Sequence, residues 1–259
     1  MQNSNHLMTA RDVSCIFGHG KNAVAAVDNV SFHISSDEIV SIVGESGSGK
    51  TSLARLMLRL YPITSGDLHF KSTPVTEHGN YWRWVQAVFQ DPFSSFNQFF
   101  TVRSQMKSCF KLLDTTIPEQ EKQDRIDKAF RMVNLDPGEI KGKFPFELSG
   151  GQMQRLLLAR IFLIRPSICI ADEPTSMIDA CSRATILELL LDLKRELAMS
   201  IIFITHDIGL AYHVSDRIFV MRRGAIVEQG VPDNVILNPQ HEYTKKLLKD
   251  IPVLNREWI

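Results

Sequence analysis

Residues 44 to 51 read Gly-Glu-Ser-Gly-Ser-Gly-Lys-Thr, which fits the pattern G-x-x-x-x-G-K-[ST]. Glycines at this spacing let successive backbone N–H groups fold around a polyphosphate, Lys50 reaches the outer phosphates, and the Thr51 hydroxyl is placed for Mg²⁺. The flanks agree with that chemistry. Glu38 to Val43 has the Ile/Val content of a buried strand and Ser52 to Leu60 has helical spacing, so the loop opens a helix whose N-terminus favours anions. The expected polyphosphate contacts are Gly44, Glu45, Ser46, Gly47, Ser48, Gly49, Lys50, Thr51 and Ser52.

Ile168-Cys-Ile-Ala-Asp172-Glu173 is an apolar strand ending in two acids. In open parallel sheets ligand chemistry gathers at the carboxyl ends of strands, which is where these acids belong. Asp172 is expected to hold Mg²⁺, directly or through water, and Glu173 to polarise an attacking water. His206 follows the next strand-like run, where a neutral imidazole can hydrogen-bond a γ-phosphate and that water. Ser149 and Gln152 are spaced as a capping box before a long apolar helix, with Gly150-Gly151 between them. The bare N–H groups there make a second candidate anion site, an ordinary cap being the plainer alternative.

These groups need elements to hold them. Val24 to Ile34 reads as a strand, and so do Ser167 to Ala171, Ser200 to Thr205, Ile218 to Met221 and Ala225 to Glu228, with a turn at Arg223-Gly224. A helix over about Ser182 to Leu197 makes the βαβ rhythm of a parallel sheet. From about Asp91 to Gly142 charged, helix-forming stretches replace the β-branched runs. Thr116 with Glu119 predicts a capping box for a helix over Ile117 to Val133, with Pro118 in its first turn. Pro239 and a short basic helix, Tyr243 to Lys249, close the chain.

Composition narrows the class. The 259 residues carry 29 basic and 29 acidic side chains, and 44% are hydrophobic, as in an ordinary globular protein. A polyanion-binding protein usually shows a basic excess, so nucleic acid is not an expected partner. No run of about 18 apolar residues exists, and the first residues lack the basic and apolar stretches of a secretory signal, so a cytoplasmic location is expected. Cys15, Cys109, Cys169 and Cys181 are far apart and read as buried, reduced thiols.

Taken together, the loop with Lys50, Gln90 after Val88-Phe89, Leu-Ser-Gly-Gly-Gln at 148–152, Asp172-Glu173, Asp179 and His206 stand in the order and spacing of the ATP-binding-cassette (ABC) family, which the chain resembles over almost its whole length. The resemblance implies an α/β fold: a P-loop NTPase cassette with a RecA-like parallel-sheet core, an antiparallel β subdomain and a helical subdomain. Residues 1–259 would form one ABC ATPase domain, with about 1–90 and 165–235 as the core, about 91–164 as the helical subdomain carrying the signature, and about 236–259 as a short tail. It also implies ATP and Mg²⁺ as cofactors and a head-to-tail dimer in which each ATP lies between one subunit's phosphate loop and the other's Ser149, Gly150, Gly151 and Gln152. Phe17 matches the aromatic that stacks on adenine, with a core phenylalanine as the alternative. Gln90 would sense Mg²⁺ and the attacking water as a catalytic and metal-contacting residue, and Asp179 would communicate between the two sites.

A narrower resemblance is to the ATPase subunits of oligopeptide, dipeptide and nickel importers. It rests on Phe89-Gln-Asp-Pro-Phe-Ser-Ser-Phe-Asn97, Ala171-Asp-Glu-Pro-Thr-Ser176 and Asn238-Pro-Gln-His-Glu-Tyr-Thr244. This implies a peripheral protein on the cytoplasmic face of the membrane that hydrolyses ATP to drive solute import. Its partners would be a second ATPase subunit, a paralogue or itself, two permease subunits, and indirectly an extracytoplasmic solute-binding protein. Ser176-Met-Ile-Asp179, Gln98 and Glu242 depart from the usual residues, and the tail lacks the cysteines that bind an iron–sulfur cluster in some members. The aromatic group Phe93, Phe96, Phe99, Phe100, Tyr81, Trp82 and Trp84 suits either a pocket for a permease's coupling helix or the core of the helical subdomain. The rival reading is a soluble ABC ATPase acting on nucleic acid or ribosomes; the long coiled-coil insertion or second cassette such proteins carry is missing here.

Overall fold

The computed structural model describes residues 6–18, 20–113, 116–176, 178 and 180–249. In chain order the elements are β1 His6–Phe17, β2 Val24–Ser35, β3 Ile39–Val43, α1 Lys50–Met57, β4 Ser65–Phe70, β5 Thr73–Pro74, α2 Tyr81–Trp84 and β6 Val85–Val88. Then come α3 Val102–Ser108, α4 Glu119–Met132, α5 Pro137–Ile140, α6 Gly150–Ile164, β7 Ile168–Asp172 and α7 Ala180–Leu197. The last are β8 Ser200–Ile204, α8 Ile208–Val214, β9 Arg217–Arg222, β10 Ala225–Gly230 and α9 Glu242–Lys249. The chain divides into two compact units, one built from residues 1–79 and 200–259 and the other from 80–199. Among the described residues no helix is long and apolar enough to cross a membrane.

In the first unit β2, β1, β4 and β5 form an antiparallel sheet in that order. Beside it β3 runs parallel to β8 on one edge and to β9 on the other, and β9 turns back into β10. All five residues of β3 are buried. Alternate residues of a strand point to opposite faces, so β3 is covered on both, and its sequence, Ile-Val-Ser-Ile-Val, accordingly reads as a continuous apolar run broken by one serine. Val40, Ile42 and Val43 are each buried to within 1%. Such burial contributes about 1.5–3 kcal/mol per side chain, enough to hold the carboxyl end of β3 rigid where the loop begins.

The second unit pairs β6 with β7 in parallel and packs helices around α6. Helix α6 is apolar nearly all round, with ten of its fifteen residues buried, as expected of a helix at the centre of its unit. Helix α4 begins later than the sequence pattern suggests. Its cap is Pro118, extended at ψ 149°, with no side-chain hydrogen bond, so Glu119 is the first helical residue and not the third. The Thr116–Glu119 capping box is therefore not formed. Glu119 instead reaches Lys107 at 2.6 Å, which holds its carboxyl below the usual range. The aromatic group divides: Tyr81 and Phe96 are buried in the core, whereas Trp82, Phe99 and Phe100 are exposed.

Candidate functional site

The phosphate loop runs from Gly44 to Gly49 between β3 and α1. Two of its glycines are dictated by space. A Cβ at Gly44 (φ 151°) would lie 2.3 Å from the Met221 carbonyl oxygen, and one at Gly49 (φ 107°) 2.7 Å from that of Ala26. Backbone packed this closely leaves no room for a side chain, so the loop stays low over the strands while Glu45, Ser46 and Gly47 are exposed. The Lys50 side chain is folded over the loop: Nζ donates to the carbonyl oxygens of Gly44 at 2.8 Å and Glu45 at 2.9 Å, and to Ser48 Oγ at 3.5 Å. Lys50 is only 7% exposed. A buried ammonium held at the loop carbonyls, next to the N–H groups that open an eight-residue helix, fits a polyphosphate. Thr51 is exposed on the first turn of α1 and Ser52 is half-buried.

Other elements of the same unit brace this loop. In the β9–β10 turn Gly224 N–H donates to the Ser48 carbonyl at 2.8 Å, and the Tyr243 hydroxyl on α9 accepts from Glu45 N–H at 3.2 Å. Ile42 of β3 lies opposite Ile204 of β8, so Gly44 and His206 each stand two residues beyond a paired position on adjacent parallel strands. His206 is exposed in a turn pinned on both sides. Thr205 Oγ1 accepts from Asp207 N–H at 3.0 Å, and the Asp207 carboxylate caps α8 through Leu210 N–H at 2.9 Å. Phe17, at the end of β1, meets Tyr61 edge to face at 4.8 Å and remains 39% exposed. Arg55 of α1 donates to the Tyr61 hydroxyl at 2.7 Å, which ties this ring pair to the phosphate-loop helix. Phe17 thus offers a ring for stacking and does not belong to the core.

In the second unit Val88 of β6 lies opposite Ala171 of β7, so Gln90 and the Asp172-Glu173 pair leave the same edge of that strand pair. Asp172 is buried (5% exposed), whereas Gln90 is exposed. Glu173 adopts φ 46°, the left-handed region, which costs a non-glycine residue about 1–2 kcal/mol. The Ser176 N–H and hydroxyl both donate to the Glu173 carbonyl, at 3.2 and 3.1 Å, and hold that turn. Backbone held off its preferred conformation is characteristic of functional sites. The Asp172 carboxylate in this unit and the Thr51 hydroxyl in the first are each a hard oxygen donor of the kind Mg²⁺ takes.

The capping box at the start of α6 is formed: Ser149 Oγ accepts from Gln152 N–H at 3.2 Å and Gln152 Oε1 accepts from Ser149 N–H at 2.9 Å. A Cβ added at Gly151 would meet nothing within 4 Å, so packing inside the chain does not explain that glycine. Gly150 is half-buried on the same turn. Asp179 lies outside the described residues. The sequence pattern did not single out Gly224, Tyr61 or Tyr243 as site residues. The glycine of the Arg223-Gly224 turn and the tail stretch around Tyr243 were the available signals, but their contacts with the loop are long-range.

The profile of the ABC transporter family matches residues 27–176. An oligopeptide transport ATP-binding protein, OppF, of Streptococcus mutans is 35% identical over 268 residues, covering 100% of this chain and 87% of that protein. A dipeptide transport ATP-binding protein, DppF, of Haemophilus influenzae is 34% identical over 237 residues, covering 90% and 72%. Among solved structures, a dimeric post-hydrolysis state of an ATP-binding cassette bound to ADP and Pi superposes with a TM-score of 0.78 at 25% identity, covering 87% of this chain and 98% of that one. The fold is accordingly the P-loop fold of ABC ATPase cassettes. With the family profile spanning more than half of the chain and a relative above 30% identity along all of it, the chain belongs to the ABC transporter family.

Proposed function

We propose that this chain is the ATP-hydrolysing subunit that powers import of oligopeptides or dipeptides through a membrane ABC transporter. The observation that carries the reading is the phosphate loop with Lys50 buried on its carbonyls, in a chain similar along its length to oligopeptide transport ATP-binding proteins. The loop N–H groups and Lys50 bind the β- and γ-phosphates of ATP, and Phe17 stacks on adenine. Mg²⁺, when bound, neutralises phosphate charge; Thr51 and Asp172 would hold it, and Gln90 would sense it. Glu173 orients the attacking water and accepts its proton, while the His206 imidazole hydrogen-bonds the γ-phosphate and the same water.

Ser149, Gly150, Gly151 and Gln152 face the ATP of a second cassette in a head-to-tail dimer, an unlike subunit or a second copy, and Asp179 communicates between the two sites. This arrangement gives the helix terminus at Ser149 an anion to bind and gives Gly151 its reason. Two permease subunits place the dimer at the cytoplasmic face of the membrane, with an extracytoplasmic solute-binding protein supplying peptide. Residues from about 1 to 90 and 165 to 235 act as the core, about 91–164 as the helical subdomain and about 236–259 as the tail of one cassette.

The test is Glu173→Gln. Removing the general base while keeping the side chain's size should leave ATP affinity within about threefold and lower hydrolysis at least about 100-fold, the scale of general-base catalysis. Near-normal turnover in this variant would remove Glu173 from its assigned role.

A further inference from the structure

Helix α9, at the end of the described chain, touches the phosphate loop. Tyr243 in its first turn is 4% exposed, and its hydroxyl takes the Glu45 N–H at 3.2 Å. The carbonyl of the same Glu45 takes the Lys50 ammonium at 2.9 Å. One loop residue is thereby held on its N–H side by the tail and on its carbonyl side by the lysine that reaches the phosphates.

The ring of Tyr243 is fixed as firmly as its hydroxyl. It is buried with Val43, the last residue of β3, and with Ile208, Val220 and Val235. The Arg222 guanidinium lies 4.9 Å from the ring centroid. The chain leading into α9 is anchored too: the Glu228 carboxylate on β10 accepts the N–H groups of Gln240 at 2.7 Å and His241 at 3.1 Å. His241 Nδ1 then accepts from Tyr243 N–H at 3.0 Å. Phenylalanine would fill the same apolar space, so packing asks only for the ring. The hydroxyl's partner is the Glu45 N–H, and Glu45 is an exposed loop residue whose amide could otherwise turn with the loop.

We infer that Tyr243 is a positioning residue of the phosphate loop: by holding the Glu45 amide it presets the loop and Lys50 for MgATP, so that the C-terminal tail tunes nucleotide affinity. The inference rests on the reading of the loop as an ATP site. An orphaned N–H at Glu45 lets the loop sample orientations that do not bind, and the binding-competent fraction falls. One neutral hydrogen bond contributes about 0.5–1.5 kcal/mol, which corresponds to roughly 2–12-fold in affinity.

The experiment uses the full chain as wild type, Tyr243→Phe and Tyr243→Leu, with MgATP binding measured by titration calorimetry, steady-state kcat and KM measured for hydrolysis, and folding followed by circular dichroism. Tyr243→Phe should raise the MgATP Kd and KM together by about 3–10-fold, with kcat at saturation within about twofold and an unchanged spectrum; Tyr243→Leu should go further. A lower kcat with unmoved KM and Kd is the mark of a smaller folded fraction and overturns the inference. So does a Tyr243→Phe protein that binds as wild type does, while leaving the ATP reading intact. A wild-type chain that fails to bind MgATP overturns both. Hydrogen exchange needs no variant: in the nucleotide-free wild type the Glu45 amide should exchange at least about tenfold more slowly than that of exposed Ser46, and equal rates would contradict the bond.

Discussion

Replacing Gly49 with alanine tests the loop where its geometry is tightest. The backbone there has φ 107°, and an added Cβ would stand 2.7 Å from the Ala26 carbonyl oxygen and 3.1 Å from Gly224 Cα. Both neighbours are backbone, so neither can rotate away. The left-handed conformation costs an alanine about 1–2 kcal/mol, and relieving the overlap adds strain on the order of 1–3 kcal/mol. Together these reach about 2–5 kcal/mol, and for a chain of this size roughly 2–4 °C of Tm is lost per kcal/mol. Gly49→Ala should therefore lower Tm by about 10 °C and weaken MgATP binding at least tenfold, because relief requires moving the start of α1. Gly47→Ala is the internal control. Its φ is 78°, yet nothing lies within 4 Å of the added Cβ, so only the conformational penalty of about 1–2 kcal/mol remains and Tm should fall by about 2–8 °C. Thermal unfolding followed by circular dichroism without nucleotide compares the two; a Gly49→Ala protein no less stable than Gly47→Ala would refute the close-packing account of the loop.

Burial pushes the Cys169 thiol up to about 12, so at pH 8 the native protein holds almost none of it as thiolate. Iodoacetamide should leave Cys169 unmodified in the folded chain and alkylate it after denaturation, as read by mass spectrometry; fast native labelling would contradict its placement. Burial acts to raise the Glu228 carboxyl, but the hydrogen bonds from Gln240 and His241 outweigh it and hold the group below its ordinary value of 4.5. A depressed folded value means that the carboxylate's contribution is complete above about pH 4.5 and disappears as pH falls through the folded value. Amide protection in α9 should thus persist from pH 7 to pH 5 and fall below about pH 4, and Glu228→Gln should lower it already at pH 7; protection in that variant equal to wild type would remove Glu228 as the anchor of the tail.

The parts of the site that follow local rules were legible in the residues. Strand β3, the loop after it and the helix beginning at Lys50 are three consecutive segments whose composition and glycines define one another. The Ser149–Gln152 capping box spans four residues and formed as spaced, because both partners are decided within one helical turn. The Thr116–Glu119 pair had the same spacing and did not form, since Pro118 took the cap position and Lys107, from another helix, claimed the Glu119 carboxylate. Long-range contacts left no local trace. Tyr243 and Glu45 are 198 residues apart, and Gly224 meets Ser48 from a turn that reads as an ordinary hairpin. The aromatic group shows the same limit: Tyr81 and Phe96 are buried while Phe99 is 87% exposed, a division that depends on which face the fold covers and that composition does not encode.

Uptake in cells tests whether this chain hydrolyses ATP to drive peptide import. Cells lacking the chain, supplied with a labelled oligopeptide, should regain uptake when wild type is restored, and should not when Lys50→Ala is expressed at the same level. Uptake that persists without the chain, or that Lys50→Ala restores as fully as wild type, would contradict the account.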